Sequence, residues 1–348
     1  MTLREQRFSP CMAPPFSPDY RDCRLWSFTL MAEIDVSVII VACNRPPELE
    51  RALRSSFAQT GVSFEVFVFD NSTDGRVAAL ISEKYPDVIY MKAPSNTGPC
   101  VARNRCAEHA AGEVLVFLDD DAFFTDNTTL KKVSCAIRAA EDIGGLAMTF
   151  VEPFNPRNKL DSPLAGRVPP EGMKSFVACA AAVRKSAFCE AGSFRTALLI
   201  DGEERDLCVR LLLKGYRIGY VAVGPIVHSK SPIRDTGSRG VHAIANQILF
   251  DYWYLPGPLV LPSILRHAWK LLVYRFSWES IPPRLEGIAR GIAGCLRFRD
   301  LRMPMTFTQW RSYINLPPHG AEPIPMYPAA LEGHGSIADM SYVCTSNP

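Results

Sequence analysis

Val114-Leu115-Val116-Phe117-Leu118-Asp119-Asp120-Asp121-Ala122 is an apolar run that stops at three consecutive aspartates. A run of this length, apolar at successive positions, reads as a strand of a parallel sheet buried on both faces. Ligands of such sheets bind outside the carboxyl ends of the strands. The aspartates then stand at that edge. Three adjacent carboxylates raise one another's pKa unless a cation or well-placed donors hold them ionised, and hard oxygen ligands suit Mg2+ or Mn2+. Taken alone, a strand-end turn whose aspartates cap the next helix reads the same way, so the flanking chain decides.

N-terminal to this stretch the pattern alternates. Val36 to Ala42 is a β-branched strand, followed by Cys43-Asn44-Arg45-Pro46-Pro47 and a helical Glu48 to Gln59. Glu65 to Asp70 is a second strand, ended by the turn Asn71-Ser72-Thr73-Asp74-Gly75, with a helix from Arg76 to Lys84. Val88 to Lys92 is a third strand, and Ala93 to Pro99 leads into a helix from Cys100 to Ala110. Strands and helices at this spacing predict an α/β doubly wound, mostly parallel sheet with right-handed crossovers. No G-x-G-x-x-G follows the first strand and no G-x-x-x-x-G-K-[ST] occurs, which weakens dehydrogenase and P-loop readings. Acid, amide and Arg stand at the strand ends instead.

The 348 residues, 47% of them hydrophobic, allow a full core, and a net charge of +2 gives no reason to expect nucleic acid as a partner. Eleven scattered cysteines without a C-x-x-C pair suggest neither a disulfide framework nor a zinc knuckle, which fits a reducing, cytoplasmic setting. Residues 1–33 read as an irregular tail without a signal-peptide core, and no stretch offers about 20 uninterrupted apolar residues for a membrane span.

Beyond the aspartates, a helix is expected near Thr129 to Ala140, an apolar segment at Leu146 to Phe150 and a surface loop at Glu152 to Gly172. A buried strand follows at Phe176 to Val183 and a short helix at Arg184 to Gly192. A second acidic cluster, Asp201-Gly202-Glu203-Glu204-Arg205-Asp206, opens an amphipathic helix that ends in bases, a polarity matching the helix dipole. Arg217 to Val221 is a further strand, with Pro225-Ile226-Val227-His228 after it.

With both clusters placed, the chain from about Asp35 to Asn315 resembles the family 2 glycosyltransferases, nucleotide-sugar enzymes of the GT-A fold, and among them bacterial rhamnosyltransferase-like members. The matching pieces occur in order: Val36 to Arg45; Phe69 to Asp74; Asn96-Thr97-Gly98 with Ala102-Arg103-Asn104; Leu118 to Asp121; Gly202 to Leu207 with Arg210; and His228. The resemblance implies a GT-A domain over 34–240, with a nucleotide-binding half at 34–125 and an acceptor half at 126–240.

It implies these roles. Asp70 accepts a hydrogen bond from N3–H of uracil or thymine, which favours a UDP- or dTDP-sugar donor. Asn44, Arg45, Asn96 and the backbone of Ala42 and Cys43 lie beside the base and ribose, and Arg103 reaches the base or diphosphate. Asn104 bonds the metal-bearing loop. Asp119 and Asp121 form the D-x-D pattern, with Asp121 a direct ligand of Mn2+ or Mg2+, Asp120 on the ribose and His228 a later metal or diphosphate ligand. Glu203 and Glu204 form the acceptor-side pair, with Glu204 the general base for an inverting displacement and Glu203 and Asp206 orienting it or pairing with Arg210. The family often has Asp where Glu204 stands. The acceptor is a carbohydrate or lipid-linked hydroxyl, as in polysaccharide or glycolipid assembly.

Residues 241–316 read as helical, as in His242 to Tyr254 and Ser263 to Phe276, broken at Pro256-Gly257-Pro258 and Ile281-Pro282-Pro283. Their interleaved aromatics and Arg fit packing against the catalytic domain, with peripheral contact at the inner face of an anionic membrane as the alternative. Ser231 to Gly240 reads as a lid, with Lys230, Arg234 or Arg239 lending charge to a bound diphosphate. Residues 317–348 read as a disordered tail. Two other classes compete: a non-catalytic nucleotide-sugar binding or scaffold protein, which needs no Glu204, and an aspartate-based phosphohydrolase, which wants its D-x-D near the first strand.

Overall fold

Four parallel strands form the first half of the sheet. In the computed structural model, which describes residues 33–153, 172–198, 200–229, 236–273 and 281–318, these are β1 (Val36–Ala42), β2 (Phe64–Asp70), β3 (Ile89–Lys92) and β4 (Val114–Asp119). They lie in the order β3-β2-β1-β4. Side chains of β1 and β4 are buried on both faces, as their unbroken apolar runs require. Helices α1 (Pro46–Phe57), α2 (Arg76–Lys84) and α3 (Gly98–His109) make the crossovers. α1 and α3 begin two residues earlier than expected, because Pro46 and Pro99 sit in their first turns, where no N–H is needed. α1 turns Leu49, Ala52, Leu53 and Ser56 inward at helical spacing.

The second half contains β5 (Ala122–Phe123), α4 (Thr129–Arg138), β6 (Ile143–Val151), β7 (Ala181–Arg184), α5 (Lys185–Glu190), α6 (Glu203–Leu213) and β8 (Arg217–His228). The sheet continues β4-β7-β6-β8-β5, with β7 antiparallel to both neighbours, β8 parallel to β6, and β5 antiparallel to β8. The α/β, mostly parallel class therefore holds.

The strand expected over Phe176 to Val183 is only its last part. Ala178–Ala180 form a 3-10 turn in which Ala178 N donates to the Glu204 carboxylate and Ala180 N to Val177 O, so these groups are bonded outside the ladder. β8 runs seven residues past the expected end at Val221, because β5 pairs with its last two residues, Ala122 with His228 and Phe123 with Val227. Of the expected surface loop, Glu152 is buried, and 154–171 lie outside the described residues.

Four helices complete the described chain: α7 (Thr236–Tyr254), α8 (Gly257–Val273), α9 (Ile281–Arg297) and α10 (Phe307–Asn315). The expected break at Pro256-Gly257-Pro258 is present: α7 ends at Tyr254, Leu255 and Pro256 are non-helical, and Pro258 stands in the first turn of α8, as Pro282 and Pro283 do in that of α9. Residues 236–240 of the expected lid are helical; 230–235, with Lys230 and Arg234, lie outside the described residues, as do the Arg239 side chain and the tails 1–32 and 319–348. Trp253 and Tyr254 are fully buried and join Val209 of α6 in one apolar cluster. Among the described residues, no helix is long and apolar enough to cross a membrane.

Candidate active site

A cavity of about 980 Å3 lies at the carboxyl ends of β1 and β4, with the first turn of α6 as its far wall. All three aspartates of the strand-end triple line it, but their environments differ. The Asp120 carboxylate is buried, accepts hydrogen bonds from Cys43 N at 3.0 Å and Arg45 Nε at 3.2 Å, and pairs closely with Arg45 Nη2. Arg45 Nη1 reaches Asp121. Burial pushes Asp120 up to about 7 against the pull of Arg45, and Asp121 adds to the rise. Asp119 keeps 31% of its side chain exposed, so it is the member most open to a ligand.

β8 delivers His228 behind this triple. Its Nε2 lies 3.3 Å from Asp121 Oδ1 and 3.7 Å from Asp119 Oδ2, and its Nδ1 is 3.2 Å from Glu152 Oε1. Ser229 N donates to Asp121 O at 2.8 Å, continuing the β5–β8 pairing to the site. Burial opposes charging the imidazole, but Cys179, Asp121 and Glu152 outweigh it and push its pKa up. His228 is not in the cavity lining; it meets the aspartates from the rear.

These groups fit a divalent cation. An octahedral ion with bonds of about 2.1 Å holds neighbouring ligands about 3 Å apart, close to the His228 separations from Asp121 and Asp119. Carboxylate and imidazole donors suit Mn2+ or Mg2+. Cys179, which the sequence did not single out, brings Sγ within 4.8 Å of ligand atoms of Asp119 and His228. Burial pushes its thiol up despite His228. Its only sequence signal is the small-residue run Ala178-Cys179-Ala180-Ala181-Ala182, which marks close packing.

On the nucleotide side the expected groups separate into cavity wall and support. Asn44, in the left-handed region at φ 57°, donates its N–H to Ser72 Oγ at 2.8 Å and accepts from Thr73 N at 3.1 Å. Asn96 accepts from Gly98 N at 2.9 Å at the start of α3. Both line the cavity, as do Cys43 and Asn71. Ala42 does not; its carbonyl accepts from Asn71 N.

Asp70 is fully buried and outside the lining. It accepts from Ser72 N at 2.8 Å, Tyr90 OH at 2.7 Å and Lys92 Nζ at 2.9 Å. Burial alone would raise its pKa, but the bonds from Ser72, Lys92 and Tyr90 hold it low. The direct contact with a uracil or thymine ring is therefore not what this arrangement offers. Asp70 instead fixes the Asn71–Asp74 turn, and through Ser72 it supports Asn44.

Arg103 also departs from expectation. Its guanidinium is buried over the Phe194 ring, donating to Asp119 Oδ1 at 3.0 Å and Glu203 Oε1 at 3.2 Å. It bridges the two acidic clusters rather than reaching for a base. Asn104 exchanges hydrogen bonds with Phe194 N and O, so it ties down the loop after α5, not the metal-bearing loop.

Opposite the triple, Asp201 and Gly202 take left-handed φ values of 65° and 97° and turn the chain into α6. Glycine tolerates this readily and aspartate at modest cost. Asn246 of α7 clamps the turn by donating to Ile200 O and Asp201 O, both at 2.7 Å. Glu203 is buried against Arg103, and its pKa is held well above the carboxylate range by burial and by Glu204. Glu204 is half-buried, lines the cavity and accepts from Ala178 N at 3.3 Å. Asp206 is wholly buried between Arg195, Arg210 and Tyr254, whose hydroxyl donates at 2.6 Å. It is a packing hub of α6. Asp201 of the second acidic cluster also lines the cavity, as do Glu48, Arg76 and His242, which the sequence did not mark because none lies in a motif.

A mostly parallel α/β sheet with an acidic triple at its strand ends and a second acidic cluster across one cavity is the architecture of the GT-A fold. Solved structures agree on the fold. The mannosyltransferase of Pyrobaculum calidifontis, in complex with GDP-mannose and Mn2+, superposes with a TM-score of 0.52 at 20% identity over 82% of this chain and 86% of that one. Staphylococcus aureus TarS gives 0.50 at 20% identity over 78% of this chain and 51% of that one.

Residues 37–191 match the model for Glycosyl transferase family 2, which supports a glycosyltransferase of that family. Among curated relatives, the uncharacterized glycosyltransferase YwdF of Bacillus subtilis is 26% identical over 222 residues, 62% of this chain and 81% of that protein. The O-antigen biosynthesis protein RfbC of Myxococcus xanthus is 28% identical over 245 residues, 63% of this chain but only 18% of that protein.

Proposed function

We propose that this chain is a metal-dependent, inverting glycosyltransferase that moves a sugar from a UDP- or dTDP-sugar to a hydroxyl of a carbohydrate or lipid-linked acceptor in cell-surface polysaccharide or glycolipid assembly. The observation that carries the reading is the placement of two acidic clusters on opposite walls of one cavity, one rigidly clamped and backed by His228, the other carrying a half-buried glutamate. Asp119, Asp121 and His228 would hold a divalent ion, which would supply positive charge to offset the negative charge gathering on the departing diphosphate. A Mn2+ complex of a protein sharing the fold is consistent with this donor set.

Glu204 takes the proton of the acceptor hydroxyl as its oxygen forms the new bond to the sugar anomeric carbon. The bond from that carbon to the diphosphate breaks on the opposite side, and the nucleoside diphosphate leaves with the electron pair. Single in-line displacement inverts the configuration. Glu203 is the poorer placed of the two for the base: it is buried, and Arg103 holds its Oε1. For the nucleoside, Asn44, Asn71 and Asn96 line the cavity, where their amide NH2 groups suit the two carbonyl oxygens of a uracil or thymine ring. Support from Asp70 is indirect, through the turn it braces.

The experiment is a panel of nucleotide sugars with Mn2+ or Mg2+, read as slow nucleoside diphosphate release, together with thermal shifts by UDP, dTDP and GDP with and without metal. Release from a UDP- or dTDP-sugar, lost in EDTA, is the expected outcome. A GDP-sugar as the preferred donor overturns the pyrimidine assignment. Binding without release from any donor favours the scaffold reading.

A further inference from the structure

Helices α8 and α9 leave apolar side chains in solvent at helical spacing. On α8 these are Leu261, Leu265, Trp269 and Val273, with Trp269 68% exposed. On α9 they are Leu285, Ile292 and Leu296. The opposite face of α9 is buried: a Cβ added to Gly287 or Gly291 would lie 2.8 Å from Ile244 or Ile248 of α7. So α9 is packed on one side and bare and apolar on the other. Scattered apolar surface needs no explanation, but stripes at helical period on adjacent helices mark an interaction surface.

Charge identifies the occupant. Residues 257–318 contain nine Lys or Arg against three Asp or Glu, while the whole chain is nearly balanced at +2. Arg266 and Lys270 on α8, and Arg290 and Arg297 on α9, are exposed beside the stripes. A second copy docking through this face would, in the common two-fold arrangement, bring this basic surface against itself. An anionic bilayer satisfies both features, because aliphatic and indole side chains enter the acyl boundary while bases meet the headgroups.

We propose that α8 and α9 form a peripheral docking surface for a bilayer rich in anionic lipid. The surface is fixed to the catalytic wall. Asp251 of α7 accepts from Ser263 Oγ of α8 at 2.9 Å and pairs with His267 Nδ1 of α8 at 2.9 Å. Gln247 donates to Asp251 and accepts from Arg205 of α6, whose guanidinium stacks on Phe250 at 3.7 Å. Docking through α8 therefore holds the helix bearing Glu204 at a set orientation to the lipid surface.

The test is co-sedimentation of the full chain with vesicles of phosphatidylglycerol and phosphatidylcholine, or of phosphatidylcholine alone, with no activity readout, so its failure is separable from that of the proposed transfer reaction. Wild type is expected to bind the anionic vesicles in a salt-sensitive way. L265E/W269E should weaken binding by about 10²-fold or more. R266Q/K270Q, which leaves the apolar stripe intact, should lose the preference for anionic over neutral vesicles. Absence of wild-type binding, or equal binding by L265E/W269E with an unchanged circular dichroism spectrum, overturns the proposal. So does a wild-type dimer in analytical ultracentrifugation that L265E/W269E abolishes, which would assign the face to a second copy.

Discussion

The two acidic clusters of the cavity are held by opposite means. The donor-side triple sits at the end of a buried strand and is fixed by partners from the sheet and the first loop: Arg45 and Cys43 on Asp120, and His228 on Asp121, delivered by β8. The acceptor-side cluster sits on the first turn of a helix and is held from the C-terminal helices, by Asn246 on the Asp201–Gly202 turn, Tyr254 on Asp206 and Gln247 on Arg205. The first wall is rigid with the core; the second depends on a region outside the 37–191 family match. The two walls are thus held separately in this molecule and are joined through Arg103, which touches Asp119 on one side and Glu203 on the other.

The sharpest way to break that comparison is a pair of isosteric substitutions. Glu204→Gln keeps shape but cannot take a proton, so turnover should fall by about 10²–10⁴-fold, the usual range for general-base loss, with donor affinity unchanged. Asp121→Asn should instead weaken metal-dependent binding of the nucleoside diphosphate, read as loss of the Mn2+-dependent thermal shift. If Glu204→Gln weakened donor binding as much as Asp121→Asn does, the division of the cavity into two walls would be wrong.

Much of this was legible in the chain. The strand run 114–118, its aspartates and the alternation of strands and helices before it gave the sheet, since unbroken apolar runs and proline-led helix starts are local signals. Support relations were not legible. Nothing near Asp70 in sequence says that Tyr90 and Lys92, one strand away, will engage its carboxylate. Nothing near Arg103 says that it will stand between acids at positions 119 and 203. The Cys179 placement depends on a 3-10 turn whose alanines fit a strand pattern equally well. At the C-terminus the prolines were legible as punctuation, Pro256 between α7 and α8 and Pro282 at the start of α9, because a helix accommodates proline best at or just before its first turn.

An intermediate effect is expected at Asn246. Its amide nitrogen satisfies two carbonyls of a turn with left-handed backbone, and orphaning buried carbonyls costs about 1–3 kcal/mol. Asn246→Ala should lower the melting temperature modestly and reduce kcat by up to about 10²-fold through misplacement of Glu204. The donor KM should hardly move. Equal losses in kcat and donor affinity would show that the C-terminal helices support both walls and not the acceptor wall alone.

The smallest effect is a pH dependence of stability at Glu203. Its carboxyl is held above the ordinary range in the folded protein, by burial first and by Glu204 second. The folded chain therefore keeps a proton that the unfolded chain has lost. The stabilisation this provides is complete below the ordinary carboxylate range, and it declines as pH rises from there through the raised folded value. Glu203→Gln keeps an acceptor for Arg103 without a titrating proton, so its melting temperature should gain on wild type between about pH 5 and about pH 9. A constant difference across that range would contradict the buried, protonated assignment. Glu204→Gln provides the control that ties this back to the two walls. It removes the second cause of the rise, so in that background the decline should be smaller and end at lower pH, whereas Asp121→Asn, on the opposite wall, should leave it nearly unchanged.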